Sequence, residues 1–172
     1  MMNVKTYKAI VRGHQSKESG EMFEKLIEAA CRYYSQTGEA EIEKTPEPMQ
    51  PIRRVKNGQF VAVFTKKAQP DYKGTLKTGR SIVFEAKHTD TGRLRRSVVT
   101  DEQEKRLDRH FYLGAECYVL VSFGFQRFYK IPWYWFKDMK NRTGRSYITA
   151  DDSEIKKYEV HFIGGVLCFL SQ

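Results

Sequence analysis

The chain has 172 residues, of which 40% are hydrophobic and 13% aromatic. This length and composition fit one globular domain with a buried core and exclude a disordered or fibrous chain. Thirty Lys and Arg residues against twenty-one Asp and Glu give a formal net charge of +9. Such an excess indicates a polyanionic partner, and nucleic acid is favoured over a membrane because no basic amphipathic helix accompanies it.

The cysteines bear on the cellular compartment. Cys31, Cys117 and Cys168 are odd in number, far apart and set in apolar surroundings. They indicate buried thiols of a reducing compartment rather than a disulfide frame or a zinc site. The first residues lack the apolar core of a signal peptide, and no stretch is long enough to span a membrane. We therefore expect a cytoplasmic protein with no membrane partner.

A basic segment precedes the first predicted helix. Residues 1–18 are basic and polar with only a short apolar run, so we predict an N-terminal arm there and a single domain over 19–172. The helix is predicted from about Ser19 to Gln36, because apolar residues recur there at helical spacing and Gly38 stands where a helix ends.

Two residues of this helix have a possible role at a site. Glu24 lies on the border of the apolar stripe, so its carboxylate either is solvated or reaches inward at the edge of a site. Gly20, one turn earlier, would let another backbone come close because it has no side chain.

A basic hairpin is predicted after the first strand. Residues 40–44 form that strand, and the three prolines within 46–51 exclude a helix or a central strand next. Two β-prone runs then flank Asn57-Gly58, a dipeptide typical of hairpin turns, and predict a hairpin over about 52–67. Its basic residues are Arg53, Arg54, Lys56, Lys66 and Lys67. Such a hairpin either grips phosphates and enters a nucleic-acid groove or is an ordinary solvated turn of the sheet.

Two acidic residues and a lysine follow the hairpin. Asp71 comes after a proline, and Glu85 and Lys87 stand two apart at the end of an apolar run. Because side chains alternate along a strand, Glu85 and Lys87 share one face. This pattern is typical of an edge strand with a surface salt bridge, or of a divalent-metal site. In the second case Asp71 and Glu85 supply oxygen ligands and Lys87 stabilises nearby charge.

A polar loop and a capped helix come next. The predicted loop at 88–97 holds basic residues that, with one earlier lysine, would suit a nucleic-acid backbone: Lys73, Arg93, Arg95 and Arg96. Thr100 and Gln103 match a capping box at the start of the second helix. Gln103 also recurs with Leu107 at helical spacing, so its side chain either caps the helix or reaches a metal ligand or water in the adjacent sheet.

The remaining elements are predicted mostly as core. Residues 115–123 are the most apolar run and predict a central strand, paired with a strand over 125–131. The later elements are predicted as a short aromatic helix after Pro132, a loop over 141–153, a short helix near 152–157, and a last strand over 160–170 broken at Gly164-Gly165.

The order of these elements resembles a known superfamily. Pro70-Asp71 followed by Glu85-Ala86-Lys87, on a helix, strand, hairpin, strand, helix and strand succession, is similar to the PD-(D/E)xK nucleases. Phe84-Glu85-Ala86-Lys87, Asp71-Tyr72-x-Gly74 and Gly20-x-x-Phe23-Glu24 look like a RecU-type Holliday junction resolvase. The resemblance covers residues 12 to about 125. It implies an α/β, restriction-endonuclease-like fold with a mixed central sheet flanked by helices and with the hairpin as a projecting stalk.

The resemblance also implies roles for individual residues. Asp71, Glu85 and the backbone carbonyl of Ala86 would bind Mg²⁺ or Mn²⁺. Lys87 would orient the attacking water and stabilise charge at the phosphate. Glu24 and Gln103 would support the metal and its waters, which completes the catalytic set.

The implied partners are a four-way DNA junction and a second copy of the chain. The stalk would enter the open centre of the junction, and the family cuts two strands symmetrically as a homodimer. The chain departs from the family at Gln69-Pro70, where threonines are common, and at Glu102-Gln103, where the family has His-Gln. Its stalk segment is also short, as would suit a compact bacteriophage version.

Two other interpretations stay open. A nuclease of the same fold that cuts linear duplex DNA would use the same carboxylates and lysine. A basic DNA-binding recombination protein without catalysis would use the acidic residues only structurally.

Overall fold

The computed structural model describes residues 4–46, 48–64 and 69–170, and the side chains of those residues except at 4–12, 57 and 64. The helices are α1 Val4–Thr37, α2 Asp101–Tyr112, α3 Trp133–Lys137 and α4 Met139–Thr143. The strands are β1 Ala40–Lys44, β2 Met49–Arg54, β3 Phe60–Phe64, β4 Tyr72–Leu76, β5 Ser81–Thr89, β6 Arg93–Arg95, β7 Glu116–Phe123, β8 Arg127–Pro132, β9 Tyr147–Thr149, β10 Glu159–Val160, β11 Phe162–Ile163 and β12 Val166–Leu167.

Strand β5 lies inside a six-stranded mixed sheet with the order β1-β4-β5-β7-β8-β10. It pairs antiparallel with β4 and parallel with β7. Ile82 and Phe84 pack into the core on the α1 side, whereas Val83 packs with Leu107 on the α2 side. The expected mixed central sheet flanked by helices is therefore confirmed. The alternative of an edge strand is wrong, because β5 has a neighbouring strand on each side and a helix over each face.

Three stacked aromatic rings cross the middle of this sheet. Tyr72, Phe84 and Tyr118 are directly opposite one another on β4, β5 and β7. The ring centroids of Tyr72 and Phe84 are 4.8 Å apart, and those of Phe84 and Tyr118 are 4.6 Å apart. Cross-strand aromatic pairs of this kind stabilise one register over its neighbours. The ladder therefore fixes how β4 and β5 are aligned.

Helix α1 begins earlier than the sequence predicted. It starts at Val4 instead of near Ser19, and it ends before Gly38, whose φ of +69° is the left-handed conformation that commonly ends a helix. Residues 5–18 contain no proline and one glycine, so nothing in them breaks a helix. Their basic and polar character, which predicted an arm, does not prevent a helix. The division into an arm at 1–18 and a domain at 19–172 stays a prediction.

The predicted basic hairpin is present as β2 and β3. In the described part of the chain these two strands pair only with each other, with Arg54 opposite Phe60. The turn is a 3-10 turn over Lys56–Gly58 that is closed by a 2.8 Å hydrogen bond from Val55 N to Gln59 O. No described hairpin residue belongs to either hydrophobic core, so the hairpin stands apart from the body of the sheet.

The last third of the chain differs from the sequence prediction in its short elements. The predicted loop at 141–153 contains the end of α4 and strand β9, which pairs with β6 inside the predicted loop at 88–97. A three-residue strand forms only because a partner is present, and local sequence does not reveal that partner. The helix expected near 152–157 is a 3-10 turn at Lys156–Tyr158, and the predicted last strand divides into the two-residue strands β10, β11 and β12.

Two expectations from composition can be compared with the structure. Cys31, Cys117 and Cys168 are free and buried, and burial raises the pKa of the Cys31 and Cys117 thiols to about 12. Cys31 and Cys117 are therefore protonated thiols at neutral pH. Within the described ranges, no helix combines the length and the apolar character that a membrane span needs.

The glycine of β4 is held against the neighbouring strand. A Cβ at Gly74 would lie 2.1 Å from Glu41 O and 2.7 Å from Ile42 Cα. Gly20 is different, because a Cβ there would meet nothing within 4 Å among the described residues. Contrary to the expectation, no described backbone therefore comes close to Gly20.

These surroundings predict opposite effects of alanine at the two glycines. Gly74→Ala should lower the free energy of unfolding by about 2 kcal/mol or more, because β1 and β4 must move apart. Gly20→Ala should raise it by about 0.5–1 kcal/mol, because alanine favours the helix and clashes with nothing. Urea unfolding followed by circular dichroism measures both, and a Gly74→Ala protein as stable as the parent would contradict the close contact.

Candidate active site

The two carboxylates and the lysine singled out in the sequence lie together. Asp71 directly precedes β4, and Glu85 and Lys87 are on β5. Lys87 Nζ is 2.9 Å from Glu85 Oε2 and 3.5 Å from Asp71 Oδ2. The backbone N–H of Ala86 donates a 2.9 Å hydrogen bond to Asp71 Oδ2. One ammonium group thus lies between two carboxylates from adjacent segments of the sheet.

The strand register explains why these residues meet. Tyr72 is opposite Phe84, so the residue before Tyr72 falls beside the residue after Phe84 in an antiparallel pair. Tyr72 and Phe84 point into the core on the α1 side, and alternation therefore turns Asp71 and Glu85 toward α2. The aromatic ladder on one face thereby positions the carboxylates on the other.

Gln103 holds Glu85 and caps α2 at the same time. Its Nε2 donates to Glu85 Oε2 at 2.5 Å, and its Oε1 accepts from the Thr100 backbone N–H at 3.1 Å. The Thr100 hydroxyl in turn accepts from the Gln103 backbone N–H, which completes the capping box. Capping and site contact are alternatives for Gln103 when only the sequence is considered. The structure shows both, since the two ends of one amide group make the two contacts.

Glu85 is a fully buried carboxylate. Its exposed fraction is 0%, and Oε1 has no hydrogen-bond partner among the described residues. Burial raises the pKa of Glu85 to about 8, and the nearby charge of Lys87 only partly opposes that shift. A buried oxygen without a partner is costly, because it has lost water and gained no donor. Oε1 is therefore the atom of this site best suited to accept a cation.

Lys87 keeps its charge despite its position. Burial alone lowers the pKa of Lys87, but the charges and hydrogen bonds of Glu85 and Asp71 outweigh it and raise that pKa above the ordinary value. Lys87 therefore remains an ammonium group through the physiological pH range. It supplies a fixed positive charge beside any phosphate that approaches the carboxylates.

Glu24 lies at the edge of this group and not inside it. Its Oε2 makes a 2.7 Å ion pair with Lys44 Nζ at the end of β1, and no ion pair or hydrogen bond joins it to Glu85 or Asp71 in the described residues. The hydrogen bond to Glu24 is the main cause that raises the pKa of Lys44, and the charges of Glu28 and Asp71 add to it. Lys44 therefore interacts with the negative charges of both Glu24 and Asp71. The sequence does not single out Lys44, and its position at the end of the first strand is the one feature that could have indicated this role.

The donor set fits a hard divalent cation. In the described ranges no cluster of three or more His, Cys, Asp and Glu residues has the geometry to hold a metal. Asp71, Glu85 and the Ala86 carbonyl offer oxygen donors only, which is what Mg²⁺ and Mn²⁺ prefer. Mg²⁺ commonly takes one or two carboxylates and completes its coordination with waters and substrate phosphates. The unpartnered oxygen of Glu85 agrees with such a site.

The predicted DNA-binding residues differ in their surroundings. Arg53, Arg54 and Lys56 are exposed on the hairpin, while Lys66 and Lys67 lie outside the described residues. Arg95 is exposed, and the Arg93 guanidinium lies 5.0 Å from the centre of the Tyr147 ring. Lys73 is half-buried on β4, near the carboxylates.

Arg96 is engaged within the protein. It pairs with Glu104 at 2.5 Å and lies over the rings of Trp133 and Phe136. These contacts give Arg96 a structural role that does not involve DNA, because they connect the segment before α2 to α2 and to α3. Its predicted role in DNA binding therefore has the weakest structural support of the set.

Comparison with known proteins identifies the family. The sequence profile of the family described as Recombination protein U matches residues 18–171. The chain belongs to this family. RecU proteins are Holliday junction resolvases, which are endonucleases of recombination. All five residues of the implied catalytic set lie within the matched region.

One solved structure and the curated proteins complete the comparison. Hjc of Archaeoglobus fulgidus, a Holliday junction resolvase from an archaeal hyperthermophile, is similar over 67% of this chain and 74% of its own, with 14% sequence identity and a TM-score of 0.42. No curated protein matches the chain.

The raised pKa of Glu85 predicts a pH-dependent stability. Between pH 4.5 and about 8 the folded chain retains a proton on Glu85 that the unfolded chain has released, so stability falls as the pH rises through this range. The free energy of unfolding is measured in EDTA for the parent and for Glu85→Gln. The parent value minus the variant value should fall between pH 5 and pH 8 by at most about 4 kcal/mol.

The matched control is Glu102→Gln, which removes an exposed carboxylate from the same region. Its unfolding free energy should follow the pH dependence of the parent. A difference between the parent and Glu85→Gln that is constant from pH 5 to pH 8 would show that Glu85 does not titrate in this range.

Proposed function

We propose that the chain is a divalent-metal-dependent endonuclease that resolves four-way DNA junctions by hydrolysing one phosphodiester bond in each of two strands. The observation that carries this proposal is the grouping of Asp71, Glu85 and Lys87, in a member of the RecU family. Hydrolysis of a phosphodiester needs an activated water and stabilisation of negative charge at the phosphate. The site offers two carboxylates, one with an oxygen that has no partner among the described residues, and an ammonium group beside them.

Each residue of the group has a distinct task in this proposal. Asp71, Glu85 and the Ala86 carbonyl hold Mg²⁺ or Mn²⁺, which when bound lowers the pKa of a water and offsets charge at the phosphate. The Ala86 N–H fixes the orientation of the Asp71 carboxylate, and Gln103 fixes that of Glu85. Lys87 donates to the attacking water or to a phosphate oxygen, because its charge persists at neutral pH. Glu24 acts through Lys44 at the margin of the site.

The hairpin is proposed to select the branched substrate. It stands apart from the central sheet and carries exposed Arg53, Arg54 and Lys56. Phe60, at the end of the turn, is 54% exposed and lies under the Arg54 guanidinium. Positive charge with an exposed ring suits a junction centre, where phosphates crowd together and bases lose part of their stacking. The exposed Arg93 and Arg95 and the half-buried Lys73 are proposed as further contacts to the DNA backbone.

Symmetrical cutting calls for two copies of the site. The described residues of one chain contain one such group of carboxylates, and two strands of like polarity must be cut. We therefore propose that the chain acts as a homodimer on the junction, in the cytoplasm, with the twofold axis relating the two cuts.

Loss of the charged groups should abolish cleavage of four-way junctions in Mg²⁺. Asp71→Asn and Lys87→Ala should each slow single-turnover cleavage by about 100-fold or more, because the first weakens the hold on the metal and the second removes positive charge at the phosphate. Lys105→Ala, which removes a surface lysine of α2, should cut within about twofold of the parent. Labelled junctions with Mg²⁺ and EDTA arms provide the measurement.

Three outcomes of this assay would count against the proposal. Full activity in Asp71→Asn or Lys87→Ala would show that the site assignment is wrong. Equal cleavage of linear duplex and junction would indicate a nuclease without junction selectivity. Tight, salt-sensitive junction binding with no cutting in any divalent ion would indicate a DNA-binding protein without catalysis.

Removal of the hairpin tip should separate selectivity from catalysis. Deletion of residues 54–62 should reduce junction cleavage at least tenfold while weak duplex nicking persists, since no core residue is lost. Circular dichroism monitors the fold. An unfolded deletion protein would show that the hairpin supports the domain, and unchanged junction cleavage would show that it does not select the substrate.

A further inference from the structure

The two flanks of helix α2 carry opposite charge and differ in how they are used. Glu104 pairs with Arg96 at 2.5 Å and with Lys137 at 3.4 Å. Asp108 pairs with Lys137 at 2.6 Å and accepts a hydrogen bond from Trp133 Nε1. The acidic flank therefore faces α3, and its charges are balanced within the protein.

The other flank of α2 is basic. Arg106 and His110 follow Gln103 by three and seven residues, which at 100° per residue turns them to the side away from Glu104 and Asp108. Gln103 contacts Glu85 on β5, so this basic flank begins at the proposed metal site. Arg106 and His110 are both half-buried.

Lys73 on β4 faces the same side. It is two residues beyond Asp71, so alternation places both side chains on the α2 face of the sheet. Its Nζ donates to the neutral amide oxygen of Gln69 at 2.9 Å. Glu43 is opposite Lys73 on β1, yet no ion pair forms between them among the described residues.

The three basic side chains are close enough to influence one another. Burial and the positive charges of Lys73 and Arg106 lower the pKa of His110. In the described part of the chain, none of the three has a carboxylate within ion-pair distance, in contrast to the acidic flank. Like charges gathered without a counter-charge repel one another, and an anion would relieve that repulsion.

Arg106 has an unused donor. Its Nε is shielded from water and has no hydrogen-bond partner among the described residues. The N–H groups of a guanidinium can bind two oxygens of one phosphate side by side, which a lysine cannot do. Arg106 thus retains the capacity to bind a phosphate.

We propose that Lys73, Arg106 and His110 form a second phosphate-binding site, which holds a phosphate of the cleaved strand next to the scissile one. The site rests on the proposed function and deepens it. Two residues along β4 correspond to roughly 7 Å, and the charges of one DNA strand follow each other at about 3.4 Å along the helix axis. The bound phosphate is therefore within two nucleotides of the bond that is cut. Holding it sets which phosphate reaches Asp71 and Glu85.

A neutral replacement of single phosphates tests this contact directly. Four-way junctions carry one methylphosphonate at each phosphate around the branch point in turn, and affinity is measured in EDTA, where nothing is cut. The parent should bind about tenfold more weakly when the phosphate held by Arg106 is replaced. Arg106→Gln should bind the unmodified junction about tenfold more weakly and should be insensitive to replacement at that one position.

Arg109→Gln is the matched control, because it removes the same charge from an exposed position of the same helix. It should respond to every methylphosphonate as the parent does. The slope of log affinity against log salt should fall by about one in Arg106→Gln relative to the parent. In Mg²⁺, the sensitive position should lie within two nucleotides of the mapped cut.

The outcomes separate this proposal from the proposed function. If the affinity of Arg106→Gln responds to each methylphosphonate position as the affinity of the parent does, the second phosphate site is overturned. This holds whatever the cleavage activity. Equal weakening by Arg109→Gln would also overturn it, because the effect would then come from net charge. If the position-specific effect is found and the parent cuts no junction, the phosphate site stands and the proposed nuclease activity fails.

Discussion

The stacked rings of Tyr72, Phe84 and Tyr118 are the constraint on which the site depends. They lock β4, β5 and β7 in one register on the α1 face, and that register brings Asp71 beside Ala86 and Glu85 on the α2 face. A shift of one residue would exchange the two faces of the strand and send a carboxylate into the aromatic core. The geometry of the carboxylates and the lysine on one side of the sheet is thus maintained by apolar packing on the other.

The buried carboxylate of Glu85 illustrates how the chain tolerates an unfavourable group. Removal of a carboxyl group from water is expensive, and here Lys87 and Gln103 offset only part of that cost, since Oε1 keeps no partner in the described structure. Gln103 can serve because Thr100 fixes the other end of its amide. Helix capping and site organisation are therefore one interaction network, in which the start of α2 sets the position of the group that orients Glu85.

The features that the sequence predicted correctly are those set by residues close together in the chain. Alternation placed Glu85 and Lys87 on one face, the spacing of Thr100 and Gln103 predicted the capping box, and Asn57-Gly58 predicted the hairpin. Contacts between distant segments were not predictable in this way. The pairing of Glu24 with Lys44, the short strand β9 and the basic flank around Arg106 depend on which elements become neighbours, and a single sequence carries no direct signal of that.

The hairpin formed by β2 and β3 makes its hydrogen bonds within itself and adds no described side chain to either core. Substitutions there carry little penalty for folding, whereas substitutions in β4 or β5 disturb the aromatic register and the carboxylates together. The hairpin can therefore accept amino-acid substitutions during evolution more readily than β4 and β5 can. Under the proposed function, sequence change in the hairpin would alter the choice of branched substrate while the carboxylates and the lysine stay in place.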